Sequence, residues 1–214
     1  MTFSVRKIAA VAIMLSAPLT SHAQDDVARF YRGKAVTVQV GSEAGGQYDM
    51  IARTVARHIG KHIPGQPAIV VQNVPGGGGL KLLNQLYAVG ARDGTVIGAG
   101  ISGTATGALL TPGVAKFDPR QFAWLGSAGT ETFIVVITDQ SRVQKLDELY
   151  TRELIIGGSA SGSASVDFPL VANAILGTKF KIVSGYPSAG VIVKMAMPAG
   201  EVEGCSVYTL SALK

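Results

Sequence analysis

The chain has 214 residues, of which 47% are hydrophobic and 15% charged, and its 19 basic residues exceed its 14 acidic ones by five. A chain of this length can bury a core either as one domain or as two small lobes. Cys205 is the single cysteine, which excludes an internal disulfide and a cysteine-based metal site. The positive charge is modest and scattered, so nucleic acid is not an expected partner.

The first residues predict export. Arg6 and Lys7 precede a short apolar run at residues 8–15, and Ser21-His22-Ala23 has the small-x-small form of a signal-peptidase site. The run is shorter than the ~20 apolar residues that span a bilayer. We therefore predict a signal peptide over residues 1–23, cleaved after Ala23, and a periplasmic protein without a lipid anchor.

The most informative segment is residues 36–59. A β-branched run at 36–40 predicts a strand, a glycine-containing loop follows, and Asp49 begins a segment with apolar residues at Ile51 and Val55, the spacing of one helix face. A helix N-terminus beside bare backbone binds small carboxylates or phosphates. The same pattern also describes a tight strand-to-helix turn that binds nothing, and both interpretations remain open.

The rest of the chain alternates predicted strands with predicted helices. Strands are expected at residues 69–71, 95–101, 133–138, 154–156, 181–183 and 202–207. Helices are expected around residues 82–86 and at 143–150, 166–176 and 191–196. This alternation indicates an α/β fold with mainly parallel sheets, in which ligands lie beyond the carboxyl ends of the strands.

Three other patterns favour structural roles. Residues 76–79 are four glycines, but no Gly-Lys-Ser/Thr follows them, which favours a tight turn over a phosphate-binding loop. His58 and His62 lie four apart, but Ile59 stands where a metalloprotease has glutamate, so we expect partly buried, hydrogen-bonded histidines. No serine at 159–165 lies in a G-x-S-x-G nucleophile elbow. We therefore predict neither a metal nor a cofactor.

Five spaced motifs occur in a fixed order along the chain. They are AGGxxD at 44–49, QNVPGGGG at 72–79, DGTVIG at 93–98, a Gly/Ser loop at 157–165, and GYP at 185–187 followed by MPAGEVEG at 197–204. In this order the sequence resembles the substrate-binding receptors of tripartite tricarboxylate transporters, also called Bug-type receptors. The resemblance implies a two-lobed, type II-like periplasmic-binding-protein architecture that holds a carboxylate between its lobes.

The resemblance also implies a ligand site with one loop from each lobe. The implied first-lobe residues are Ser42, Gly45, Gly46, Gln47, Tyr48, Asp49, Gly103 and Thr104, and the implied second-lobe residues are Ser159, Ser161, Gly162 and Ser163. Backbone N–H groups near Gly45, Gly46 and Gly162 are expected to bind a carboxylate by charge-assisted hydrogen bonds, and the hydroxyl groups add directional donors. Asp49 has two open interpretations, ligand contact or stabilisation of the helix dipole.

The lobes implied by the resemblance are residues 24–122 and 123–207, followed by a crossing segment at 208–214. Two positions depart from the family pattern: Gly41-Ser42 replaces a Pro-Phe pair, and Val166-Asp167 stands near a usual His-Leu pair. Relatives continue well beyond the point where this sequence stops. We therefore expect an incomplete first lobe in a truncated receptor.

The sequence predicts a monomeric receptor, not an enzyme, that captures a small organic anion, most simply a carboxylate. Its expected partners are this ligand and integral-membrane transporter subunits. One alternative is an exported α/β hydrolase-like enzyme acting on a phosphate or ester, which needs a nucleophile–base pair that the sequence does not reveal. The other alternative is a truncated receptor without function.

Overall fold

The computed structural model describes residues 20–210 apart from Thr111 and Glu131, and the chain forms two β-sheets with helices packed against them. The main elements are α1 (Thr20–Tyr31), β1 (Ala35–Val40), α2 (Gln47–Ile59), β2 (Ala68–Asn73), α3 (Leu80–Val89), β3 (Val96–Ala99), α4 (Thr104–Leu110), β4 (Phe133–Ile137), β5 (Leu154–Gly158), α5 (Ala164–Leu176), β6 (Phe180–Ser184), α6 (Ala189–Val191) and β7 (Gly204–Thr209). Single 3₁₀ turns lie at Gly60–His62, Gly77–Gly79, Pro119–Gln121 and Leu146–Tyr150, and a π turn lies at Ile192–Ala196.

The first sheet has β1 at its centre, with β2 and β3 parallel to it on either side. Val36, Val38 and Val40 alternate along β1 and are buried, because successive side chains of a strand point to opposite faces. The register pairs Val40 with Asn73 of β2 and with Ala99 of β3. All three strands therefore end at the same edge, and the loops that follow them leave the sheet side by side.

The second sheet has the order β4-β7-β5-β6, in which β5 is parallel to both neighbours and β4 is antiparallel to β7. Every residue of β7 is buried, as expected of a strand inside a sheet that is covered on both faces. Leu154 and Ile156 of β5 pack with Val143 and Leu149 in one core cluster. Mainly parallel sheets with intervening helices confirm the predicted α/β class.

All seven predicted strands form, whereas the helices differ more from prediction. The segment predicted as a helix at 143–150 holds only the 3₁₀ turn Leu146–Tyr150, and the one at 191–196 is α6 running into the π turn. Helix α4 was not predicted, since its sequence contains Thr and Gly, which have low helix propensity. Strand β7 extends two residues beyond position 207, where its Thr209 pairs with Phe133.

Helix α2 forms as predicted, but with a different face toward the sheet. Ile51 and Val55 are exposed, whereas Ala52 and Ala56 are buried together with Asp49. These three buried positions are spaced i, i+3 and i+7, so they share one side of the helix. Small side chains on that side let the helix approach the sheet closely.

The structure also corrects the prediction for the two histidines, of which His58 lies on α2 and His62 in the 3₁₀ turn that follows it. His58 and His62 are both exposed, so the expectation of partly buried histidines was wrong. Among the described residues, no group of three His, Cys, Asp or Glu side chains is placed to hold a metal ion.

The predicted signal peptide lies mostly outside the described residues, since only the backbone of its last four residues is described, at the start of α1. Within residues 20–210, no described helix has the length and apolar character needed to cross a bilayer. Residues 211–214 of the predicted crossing segment also lie outside the described part of the chain.

Candidate functional site

The loops that follow the three strands of the first sheet meet at its carboxyl edge. The Tyr48 hydroxyl lies 2.6 Å from the Ser102 hydroxyl and accepts a hydrogen bond from the Ser102 N–H at 3.3 Å. Tyr48 is in the first turn of α2, after the loop from β1, and Ser102 is in the loop after β3. The tyrosine therefore joins two loops that the sequence separates by 54 positions.

The Asp49 side chain holds the loop after β1 by hydrogen bonds. Its Oδ2 accepts hydrogen bonds from the Gly45 N–H and from Arg53 Nε, both at 2.8 Å, and its Oδ1 accepts one from Asn73 Nδ2 at 2.8 Å. These bonds, the one from Arg53 first, hold the pKa of the Asp49 carboxyl well below its ordinary value. Asp49 is only 2% exposed, and the chain's own donors explain its burial without a ligand.

The loop after β5 has a related but weaker arrangement. The Gly162 N–H donates to Asp167 Oδ1 at 3.2 Å, as the Gly45 N–H donates to Asp49 in the first loop. Burial raises the pKa of the Asp167 carboxyl, and the bond from Gly162 opposes that rise. Among the described side chains, no basic group forms an ion pair with Asp167. The Asp167 carboxylate is therefore stabilised by fewer partners than the Asp49 carboxylate.

The serines of the loop after β5, called the second loop below, differ in burial. Ser163 is buried and donates its hydroxyl hydrogen to the Ala160 carbonyl at 2.6 Å. Ser165 Oγ accepts the Ser159 N–H at 3.0 Å and lies 3.0 Å from Ser163 Oγ and 3.2 Å from Ser159 Oγ. Ser161 is exposed and Ser159 is half-buried. A solute therefore reaches Ser161 and Ser159 more readily than Ser163.

The two sheets approach each other through glycines of the first and the loop and helix start of the second. A Cβ atom added at Gly78 would lie 2.7 Å from Ser163 Cβ, closer than real Cβ atoms come. A Cβ atom at Gly103 would lie 3.3 Å from Ala164 Cβ. The bare backbone at these two positions is what permits the contact.

The backbone N–H groups that the sequence predicted as ligand donors are paired within the chain. Those of Gly45 and Gly162 donate to aspartates, and that of Gly46 donates to the Glu43 carbonyl at 3.4 Å. An N–H group at a helix start takes a local acceptor when one is near, because an unpaired polar group is costly. A ligand carboxylate would have to share or replace these acceptors.

The predicted site residues differ in accessibility. Ser42, Gly46, Gln47, Tyr48, Gly103 and Ser159 are half-buried, Gly45 and Ser161 are exposed, and Asp49, Thr104, Gly162 and Ser163 are buried. Thr104 donates its hydroxyl hydrogen to the Ile101 carbonyl, so that hydrogen is used inside the loop. The exposed and half-buried members are thus the ones that a ligand can touch in this arrangement.

Sequence reasoning missed two side chains that hold the first loop, Arg53 and the amide of Asn73. Arg53 lies four residues after Asp49, a spacing at which opposite charges pair on a helix, so the ion pair could have been predicted. Asn73 was noted only as part of a motif. Its contacts depend on β2 lying beside β1, which the sequence does not state.

The described surface also has two apolar grooves away from these loops. One is lined along α5 by Phe168, Val171, Ala172, Ile175 and Leu176, and the other lies between α2 and Ala128. Neither groove includes a residue that the sequence predicted to bind ligand.

No protein-family model matches the sequence, and no curated protein matches it. Solved structures do match. A structure of an R. palustris protein with adipate superposes with a TM-score of 0.62 at 22% identity, over 85% of this chain and 61% of that one. MatC from Rhodopseudomonas palustris, with bound malate, gives a TM-score of 0.60 at 21% identity, over 82% of this chain and 60% of MatC.

The periplasmic binding protein BugD gives a TM-score of 0.57 at 18% identity, over 82% of this chain and 59% of BugD. The chain thus spans about three fifths of the length of these neighbours. At this identity the likeness shows the fold, and it confirms the resemblance at that level. The chain has the α/β fold of the periplasmic solute-binding proteins that include the BugD and TctC types.

Proposed function

We propose that this protein is a periplasmic solute-binding receptor that holds a small carboxylate between residues 42–49 and residues 159–163. The observation that carries the proposal is the meeting of loops from both sheets, with Gly78 against Ser163 and Gly103 against Ala164. Ligands of parallel α/β sheets lie beyond the carboxyl ends of the strands, which is where these loops are. Two structural neighbours were solved with dicarboxylates, adipate and malate.

The proposed site works by hinged closure of two lobes. We take residues 24–122 as the first lobe and 123–207 as the second, each built around one sheet. The lobes separate to admit the ligand, and the glycine contacts re-form around it. The hydroxyls of Ser42, Ser159 and Ser161 then donate to the ligand carboxylates, and helices α2 and α5 direct their positive ends toward it.

The wider role follows from the same proposal. The protein binds and does not catalyse, and it delivers its ligand to membrane subunits of a tripartite tricarboxylate-type transporter. Export requires the signal peptide, and N-terminal sequencing of protein from the periplasm should therefore begin at Gln24. Recovery of a form that begins at Met1 in the membrane fraction would contradict the proposed cleavage after Ala23.

A thermal-shift screen tests the binding function. Malate, adipate, citrate and amino acids are added separately to the purified protein, and a ligand that binds only the folded state raises the melting temperature with its concentration. We expect a shift with at least one dicarboxylate and none with neutral amino acids. If no carboxylate shifts the melting temperature at millimolar concentration, the proposed function is wrong.

A pair of variants locates the site. Gly46 precedes α2 with φ −74°, a backbone angle that valine adopts. An added Cβ would lie 3.3 Å from the Glu43 carbonyl oxygen, so Gly46→Val adds bulk to the loop and displaces that carbonyl by a few tenths of an ångström. We expect it to abolish the dicarboxylate-dependent shift. The matched control is Gly129→Val, since an added Cβ at Gly129 meets nothing within 4 Å and the position lies outside both loops. Equal affinity in the two variants would exclude the first loop as part of the site.

A further inference from the structure

The side chain of Asn73 connects three parts of the first sheet's carboxyl edge. Its Nδ2 donates to the Ser42 carbonyl at 3.0 Å and to Asp49 Oδ1 at 2.8 Å, while its Oδ1 accepts from Arg53 Nη2 at 3.0 Å. Both amide hydrogens and the amide oxygen are therefore used. Asn73, the last residue of β2, is thus hydrogen-bonded to the loop after β1 and to helix α2.

Only an amide meets this combination of partners at this position. Ser42 and Asp49 present acceptors, whereas Arg53 presents a donor, so the group between them has to donate twice and accept once. An ionised carboxylate cannot donate, and a hydroxyl has one hydrogen. The three bonds thus specify the chemistry of residue 73 and not merely its size.

The bond to Ser42 has a direct consequence for an anion site. A carbonyl oxygen carries partial negative charge and repels a carboxylate, so a loop that receives an anion has to direct its carbonyl groups elsewhere. Asn73 Nδ2 donates a hydrogen bond to the Ser42 carbonyl and so holds this carbonyl toward β2. The Asp49 carboxylate, in turn, binds the Gly45 N–H within the same loop.

We propose that Asn73 is a positioning residue that fixes residues 42–45 in the conformation that receives a carboxylate, an inference that rests on the proposed function. It acts through the Ser42 carbonyl and Asp49 and does not itself touch the ligand. The charged groups that face it are Asp49 and Arg53, both from α2, and β1 contributes only the backbone of the loop that follows it.

Asn73→Asp tests the inference through pH. At about pH 8 the new carboxylate lies against the Asp49 carboxylate and the Ser42 carbonyl, both acceptors, so the loop is released. Arg53 pairs with one of the two carboxylates, and repulsion between the carboxylates raises the pKa of the other above that of an isolated carboxyl. As the pH falls toward about 5.5, still above the ordinary carboxyl pKa of ~4, one of the two carboxyl groups takes up a proton. The protonated group again donates a hydrogen bond to its neighbour, and the loop returns toward its original conformation.

Gln72→Glu is the matched control. Gln72 is the preceding residue of the same strand, is exposed, and accepts from Gln39 Nε2 at 3.2 Å. It therefore receives the same change from amide to carboxylate without touching the loop. We expect Gln72→Glu to behave as the unchanged protein at both pH values.

Hydrogen exchange of the 41–49 segment, corrected for the intrinsic effect of pH, is the primary readout and needs no ligand. Malate and adipate affinity by calorimetry is the second. We expect Asn73→Asp to exchange faster and to bind about tenfold more weakly near pH 8, with a deficit of about threefold near pH 5.5. A purely structural defect would give a deficit that does not change with pH.

The outcomes separate the two claims. If the unchanged protein binds neither probe, the proposed function fails, while the pH-dependent exchange still tests the role of Asn73 in positioning the loop. If Asn73→Asp shows the same exchange and affinity at both pH values, or matches Gln72→Glu, the inference about Asn73 is overturned. Should Asn73→Asp not fold near pH 8, Asn73→Ala serves in its place: it should speed exchange at residues 41–49 and leave the second sheet unchanged, and exchange equal to that of the unchanged protein at residues 41–49, or faster exchange throughout the chain, would overturn the inference.

Discussion

Replacing Gly78 by alanine tests the contact between the two sheets. Gly78 has φ +61°, and an added Cβ would lie 2.7 Å from Ser163 Cβ and 3.1 Å from the Ser163 backbone. Carbon atoms in contact stand about 3.5–4.0 Å apart. The second loop therefore has to move by about 1 Å, and the left-handed backbone adds a cost of about 1–2 kcal/mol for a residue with a side chain.

Gly77 provides a control in the adjacent position. It has φ +56°, but its added Cβ meets only Leu80 Cβ, at an ordinary 3.7 Å. Gly77→Ala and Gly78→Ala thus share the backbone cost and differ in the contact with Ser163. Gly77→Ala should lose about 1–2 kcal/mol in the free energy of unfolding, measured by urea denaturation, and Gly78→Ala should lose at least as much, because it also displaces the second loop.

Only Gly78→Ala should affect the second loop. We expect faster hydrogen exchange at residues 159–163 and weaker binding of malate or adipate, because the closed arrangement of the lobes is disfavoured. If Gly77→Ala and Gly78→Ala show the same exchange and the same affinity, the contact between the loops does not contribute to closure, and the reasoning is refuted.

Four further substitutions test the account by urea denaturation. Asp167→Asn should raise stability at pH 7, because burial raises the pKa of Asp167, and the gain should vanish below pH ~4, where the wild-type carboxyl is protonated. Asp49→Asn should lower stability at pH 7, because the pKa of Asp49 is depressed by Arg53, and this loss should shrink as the pH falls below ~4. Leu154→Ala should cost about 2–5 kcal/mol, whereas Leu109→Ala, 79% exposed, should cost little. A stability change of the same sign for the two aspartate variants at pH 7, or equal costs for the two leucines, would contradict the structure.

The strands were predictable because their sequences carry their own signal. The β-branched runs at β1 and β4 and the alternating burial along β1 follow from the period of two in a strand. The helix face was not predictable in the same way. Ile51 and Val55 form an apolar stripe, yet the buried positions are Ala52 and Ala56, on the side of α2 where Asp49 is bonded to Asn73 of β2.

The two candidate loops could be proposed from the sequence, but their hydrogen bonds could not. The glycine-containing loop before Asp49 identified the first loop from the residues themselves, and the family resemblance implied the second loop. Which hydrogen-bond donors remain available depends on contacts between distant residues, such as Asn73 with Ser42 and Tyr48 with Ser102. No local pattern encodes these contacts, because they arise only when the strands align side by side.

Hydrogen exchange of the whole protein with and without saturating malate or adipate tests the central claim most directly. The account predicts that a bound dicarboxylate slows exchange at residues 41–49 and 159–163 together, since the ligand lies between them and both loops become less able to open. Protection confined to one loop, or binding that protects only segments elsewhere, such as the apolar groove on α5, would contradict it.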